Sequence, residues 1–269
     1  MFKVSDIRFT GISIIDFHPV AKTFLYAVND SKQMSEILSK NATFASKIKE
    51  IIGLRYEPVA IKLVKKGSAY PAGYDVPEKQ FSHCQSIFAA KNGEKMALPL
   101  SAHGCMVGAA TLGMTEKAEK IKNGEFHYGI GIHDAPDSVA EMIATVTDID
   151  YEVEGTVVCP LKDADFEPDV VAVIDIPERV YWFEALHLRH GGGRVCYVTA
   201  PFQCACADIT AYPIMKGTPN ISIGCFGCRK KTDMKADEMA IGIPYADIAE
   251  MVSDLEIYRD GVLTKAKRE

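Results

Sequence analysis

The chain has 269 residues, 48% hydrophobic and 25% charged, with a net charge of −6; that is enough to build a core without a disulfide framework. Its basic clusters are only RKK at 229–231 and KAKRE at 265–269, which excludes nucleic acid as the main partner, because neutralising phosphates takes clustered Lys and Arg. No apolar run approaches the ~20 residues that span a bilayer, so no membrane partner is expected. The opening MFKVSDIRFTG has no hydrophobic leader, so a cytoplasmic location is expected, where eight Cys are thiols, metal ligands or redox groups rather than disulfides.

Residues 1–29 carry the short apolar runs ISII and FLYAV and are expected to form an extension packed on the body. From Asp30 or Ser31 the spacing of Met34, Ile37, Leu38, Ala45, Ile48 and Ile52 predicts a helix with one apolar face, stopped by Gly53. Beyond it the chain looks duplicated. RYEPVAIKLV at 55–64 is echoed by DFEPDVVAVI at 165–174, and GIGIHDAPDSVAEMI at 129–143 by AIGIPYADIAEMV at 240–252, with offsets of 110 and 109 residues. A shared offset implies two copies of one substructure. We therefore expect an N-terminal extension and helix over 1–54, a first half-repeat over 55–150 and a second over 151–269, all in one compact domain.

Each half reads as a buried strand (VAIKLV; VVAVID), a helix with a terminal glycine (SIFAAKNGE; FEALHLRHGGG) and a second strand (EKMALPLS; RVCYVTA). A cysteine-bearing segment of small residues follows. A third strand (FHYGIGI; NISIG, then MAIGI) leads to a closing helix (DSVAEMIATV; YADIAEMVSDLEIY). Strands and helices in alternation predict an α/β or α+β fold with a largely parallel sheet, its halves related by a pseudo-twofold axis. Trp182, beside Tyr181 and Phe183, is expected in the core, with a contact between copies in a homo-oligomer as the alternative. Ligands in such sheets collect at strand ends and seams, where the cysteines fall.

Cys159 in TVVCPL and Cys196 in RVCYVTA read as small core residues. Cys84, Cys105, Cys204, Cys206, Cys225 and Cys228 lie instead among Gly, Ala and other small residues. The CFGC pair can place two sulfurs on one metal. No second CxxC completes a zinc ribbon, and the C-x2-C-x2-C ferredoxin run is absent. Ligands gathered from scattered loops remain open, and backbone N–H groups around Gly224 and Gly227 could bond cluster sulfurs. Buried or reactive thiols without metal are the competing reading; a thioredoxin-type CxxC is a weaker one, since RKKTDMKADE does not begin an apolar-periodic helix. His83 and His103, close before Cys84 and Cys105, could lower a thiol pKa or act as ligands, or simply satisfy hydrogen bonds. Arg229, Lys230 and Lys231 could hold an anion beside the CxxC or form a solvated charge cluster. His187 and His190 flank a HGGG turn that reads as a helix stop. GxGxxG, GxxxxGK[ST] and HExxH are all missing.

The segments EPVAIKL, HGCMVGAATLG, VVCPL, EPDVVAVIDIPERVYWFEAL and GTPNISIGCFGCRK with GIPYADIAEMV resemble an archaeal and bacterial family called domain of unknown function 169, over most of residues 55–255. The resemblance carries over Cys105, Cys206, and Cys225 with Gly227 and Arg229; Cys84 is placed with them. Cys228 departs from the family pattern, which weakens it as an essential ligand and raises Cys84 as the fourth. The family supplies no activity to transfer, and its frequency among anaerobes implies, by association, an oxygen-sensitive cofactor. The expectation is a 4Fe-4S cluster on Cys105, Cys206 and Cys225, with Cys228 or Cys84, doing redox or Lewis-acid chemistry on a small anionic molecule near Arg229. The alternatives are a metal-free sensor module with a cysteine-lined pocket, and a zinc-stabilised structural protein.

Overall fold

The computed structural model describes residues 19–261 and 263–266, with side-chain surroundings for 31–261 and 263–265; ISII lies outside the described residues. Helix α1 spans Pro19–Ile52, so it starts eleven residues before the expected point and takes in FLYAV. Among its described side chains Ala45, Ile48 and Ile52 are buried, whereas Met34 and Leu38 are exposed. Gly53, at φ 74°, stops it. Then come β1 (Val59–Lys65), α2 (His83–Lys91), β2 (Met96–Pro99), α3 (Met106–Thr111), α4 (Glu119–Lys122), α5 (Glu125–Tyr128), α6 (Pro136–Ala144), β3 (Val153–Pro160), β4 (Val170–Asp175) and α7 (Pro177–Gly191). A π-helical segment covers Cys204–Ala211. The chain closes with α8 (Tyr212–Lys216), β5 (Asn220–Ser222), α9 (Phe226–Lys231), β6 (Met239–Pro244) and α10 (Tyr245–Tyr258).

The six strands form one sheet in the order β2-β3-β1-β4-β6-β5, and every neighbouring pair is antiparallel. The expected largely parallel sheet is therefore corrected. β1 and β2 do run the same way around the α2 crossover, as do β4 and β5, but β3 or β6 is slotted between them. Continuous apolar strands misled the expectation because this antiparallel sheet is covered on both faces, which removes the usual polar alternation. The pleat sends alternate side chains to opposite layers. Ala60, Val64, Val157, Cys159, Val171, Val173, Ile241 and Ile243 meet α1, α7 and α10. Val59, Ile61, Val158, Val170, Ala172, Ile174 and Ala240 meet α2, the π-helical segment and α9.

The pseudo-twofold repeat is not shown. FHYGIGI, expected as a strand, is α5 and turn, and RVCYVTA joins no ladder. Val198 of that segment is held by the Asn220 side chain, which accepts its N–H at 2.8 Å and donates to its carbonyl at 2.8 Å. Cys196 is consequently exposed rather than core, because no neighbouring strand covers it. Cys159 is buried on β3, and Trp182 and Phe183 are buried while Tyr181 is exposed. Gly192, the third residue of HGGG, caps α7 at φ 63°.

Candidate functional site

Six cysteines from four chain segments line one cavity of about 250 Å³ whose wall is almost wholly apolar: Cys84, Cys105, Cys204, Cys206, Cys225 and Cys228. All eight cysteines are free thiols. The two left out are those expected outside the site, Cys159 because the β3 pleat turns it to the opposite layer, and Cys196 because it is on the surface.

Local sequence explains how each thiol arrives. Cys84 sits in the first turn of α2, whose N-cap Ser82 donates its backbone N–H to the Gln85 side chain at 3.0 Å; this reciprocal cap fixes the turn. The Ser82 hydroxyl lies 3.1 Å from the Cys84 sulfur. A single parallel bridge, Phe81 with His103, lays the next segment alongside. There the Gly104 N–H donates to the Phe81 carbonyl at 2.7 Å, and a Cβ on Gly104 would press on Gln80 and Phe81 at 3.3–3.4 Å. Cys105 then caps α3, its sulfur accepting the Gly108 N–H at 3.5 Å. Cys225 repeats the device on α9, accepting the Cys228 N–H at 3.3 Å. Two helix starts therefore donate backbone N–H groups to sulfur. A Cβ on Gly108 would press on the His103 ring at 3.3 Å and touch the Cys105 sulfur and the Cys206 Cβ at 3.7 Å, so these segments meet at Gly108.

Cys204 and Cys206 ride on the π-helical segment, a form of helix that recurs at functional sites. It is entered through Gln203 at φ 63°, ψ 35°, the single non-glycine residue with positive φ among the described residues. Such backbone is strained and persists where the surroundings hold it. It packs on β6 at Gly242, where any Cβ would run into the Ile209 backbone.

The thiols differ in acidity. Cys84 is held down at about 7, first by a hydrogen bond with the Cys228 thiol, then by the Ser82 hydroxyl, the Gln85 N–H and the charge of Lys231. Cys228 is correspondingly raised, chiefly as partner of Cys204 and Cys84. Burial pushes Cys225 up to about 12. Burial also pushes Cys206 well up, with added repulsion from Cys105, Cys225 and Cys84. Desolvation keeps three nearby imidazoles neutral, bringing His83 down to about 3 and His103 and His127 to about 4.

Among the described residues no three His, Cys, Asp or Glu side chains are grouped about one point as a single ion requires. The thiols surround a volume instead. Of the other expected site residues, Gly227 lines the cavity but Gly224 and Arg229 do not. Arg229 donates to the carbonyls of Ile223, Lys235 and Glu238, and Gly224, at φ 87°, is packed under Met234. Lys230 and Lys231 line the cavity in place of Arg229, with His83, Phe126, His127, Ile130, Phe202 and Gln203. Gln203 carries no sequence signal for a site. His127 was hidden by the strand expected over FHYGIGI; on α5 it stacks on Phe202, centroids 4.6 Å apart.

Fold and site together define a mixed α/β protein with a thiol-lined cavity. The chain belongs to the DUF169 family, described as Uncharacterised ArCR, COG2043, whose model matches residues 47–254. It is similar to Uncharacterized protein MJ0308 of Methanocaldococcus jannaschii, 27% identical over 217 residues, covering 80% of this chain and 93% of that one. No solved structure matches the chain. Among the described residues no helix is long and apolar enough to cross a membrane.

Proposed function

We propose that the chain is an iron–sulfur protein whose cluster is held in this cavity by Cys84, Cys105, Cys206 and Cys225. The observation that carries the reading is the convergence of six thiols from four segments on one nearly apolar space. The donor set fits the group, because cluster iron takes thiolates. It fits a cluster better than one zinc ion, which at ~2.3 Å from each sulfur would draw four thiolates around a point. We take this quartet because Cys206 feels Cys105, Cys225 and Cys84 together; Cys225 also feels Cys204, and Cys228 is bonded to Cys84 and Cys204. Cys204 and Cys228 then stand beside the quartet as thiols.

When bound, such a cluster supplies one-electron transfer, or a Lewis-acid site where one iron keeps an open position. The residues of the chain set its surroundings. Gly108 and Cys228 N–H groups donate to two ligand sulfurs, Val107, Phe126, Ile130 and Phe202 exclude water, and Lys231 adds positive charge near Cys84. Hydrogen bonds to sulfur and burial are the levers that tune such a site.

The test is anaerobic purification with iron, sulfide and visible-absorption measurements. Brown protein with iron and sulfide in equal amounts is expected. Cys225→Ser, which keeps an N-cap oxygen, loses the colour yet keeps the unfolding midpoint of the metal-free parent, while Cys196→Ser keeps the colour. Colourless, iron-free anaerobic protein overturns the reading.

A further inference from the structure

The thiol-lined cavity opens where its wall residues reach the surface. Phe126 on α5 and Phe226 on α9 line it together with the cysteines, yet they are 47% and 41% exposed. Cys204 and Cys228 belong to the same wall and are 1% and 0% exposed. The exposed aromatics therefore mark the rim of the cavity, and the buried sulfurs its floor. Met106, 59% exposed, directly follows the lining residue Cys105. Large apolar side chains left in water around one opening, with polar groups at their edge, mark a contact surface.

The charge on this rim has one sign. Lys230 and Lys231 line the cavity, and no Asp or Glu does. Lys120 of α4 lies 5.8 Å from the Phe126 ring centroid, and Lys230 lies 5.6 Å from that of Phe226. Each exposed ring thus carries an ammonium beside it. Among the described residues none of Lys120, Lys230 and Lys231 is within ion-pair distance of a carboxylate. The chain as a whole carries −6, so the rim is a local reversal of its charge. A second copy laid rim to rim would set lysine against lysine, which disfavours self-association through this face; an acidic partner meets it with opposite charge. Whatever sits there also covers the opening onto the thiols, a nearness that electron exchange with the cavity requires.

We infer that the rim formed by Phe126, Phe226, Lys120, Lys230 and Lys231 is the docking surface for a small acidic electron-carrier protein. The carrier covers the two rings and sets its carboxylates against the lysines. In the docked pair one electron leaves one centre and enters the other, and no bond is made or broken. The inference rests on the iron–sulfur reading for the exchange, and names the kind of partner that site serves. Contacts of this kind are small and weak, so charge carries much of the recognition.

The test titrates full-length, anaerobically purified protein with a plant-type ferredoxin of net negative charge, followed by calorimetry. Binding is expected at low salt and should weaken about tenfold between ~0.01 and ~0.15 M, as screening shortens the reach of exposed charges. Lys120→Glu and Lys230→Glu, on two separate segments of the rim, should each weaken it about fivefold. Lys32→Glu, on α1 in the layer across the sheet, should leave it unchanged. Iron and sulfide are assayed on every sample. Iron-loaded protein that ignores the ferredoxin, binds it with no loss in either rim variant, or binds phosphatidylserine vesicles in its place overturns the inference alone. Iron-free protein that still binds with the expected losses keeps the docking surface and sinks the cluster; iron-free protein that does not bind sinks both.

Discussion

Cys84 is the acidic thiol of the cavity because its anion is received by the Cys228 thiol, the Ser82 hydroxyl and the start of α2. In the metal-free chain its alkylation by iodoacetamide should rise with an apparent pKa near 7, and Cys228→Ala should move that midpoint towards the ordinary ~8.5. A wild-type midpoint already at the ordinary value would contradict the assignment. The histidines make a second statement at this scale. His83, His103 and His127 have pKa values of about 3, 4 and 4, below the ordinary 6.5. Unfolding therefore takes up a proton at each as pH falls from about 6.5 towards 4, and the stability they lend is lost over that window. Asp208 acts oppositely. Burial raises it to about 7 from 3.8, so the fold holds its proton and that contribution is lost as pH rises through 7. Three protons against one leave a net uptake of about two around pH 5. From these groups the metal-free chain should lose about 2–3 kcal/mol per pH unit there. Urea unfolding at pH 7, 6 and 5 checks it; a chain as stable at pH 5 as at pH 7 would refute it.

The π-helical segment and β6 form one closely packed pair of elements. Ile209 packs so closely on Gly242 that an added methyl would meet its carbonyl carbon at 2.7 Å and its Cα at 2.8 Å. Gly242→Ala should cost roughly 1–3 kcal/mol by overpacking, and should lower iron content because the displaced segment carries Cys204 and Cys206. Gly191→Ala, with nothing within 4 Å, is the control for both measurements; equal iron in the two variants would detach the segment from the site. Element types were legible where periodicity was long, as in α7 and α10. FHYGIGI was not, since a short apolar run with glycines fits strand and helix alike, and its glycines, led by Gly131 at φ 82°, break the segment into turns.

Across the whole molecule, a buried ion network closes the layer that carries the site. Lys91, at the end of α2, has no exposed side-chain surface and pairs with Glu238 at 3.4 Å and Asp233 at 3.2 Å. Its ammonium also lies 4.0 Å from the Tyr56 ring centroid. The pair joins the Cys84 helix to the loop between α9 and β6, 147 residues away. Lys91→Met should cost about 3–5 kcal/mol, since Glu238 is left charged and buried. Adding Glu238→Gln should recover most of that loss in thermal or urea unfolding. A single mutant as stable as the parent would show that the carboxylate finds another partner or takes up a proton.

The cysteine set was legible because sulfur-bearing segments rich in Gly and Ala stand out from strands such as TVVCPL, and β1, α2, β2, β4, α7 and α10 followed from apolar runs and glycine stops, whereas FHYGIGI and RVCYVTA did not become strands. Adjacency was not legible. Nothing local to β3 or β6 says that each slots antiparallel between two strands of one direction, because ladder pairing links residues about a hundred apart and leaves no mark in either segment alone. For the same reason only the folded sheet decided that Cys159 turns to the far layer and that Cys204 joins the cavity. Its packing likewise decided that Arg229 is spent on carbonyls while Lys230 and Lys231 face the space beside the thiols.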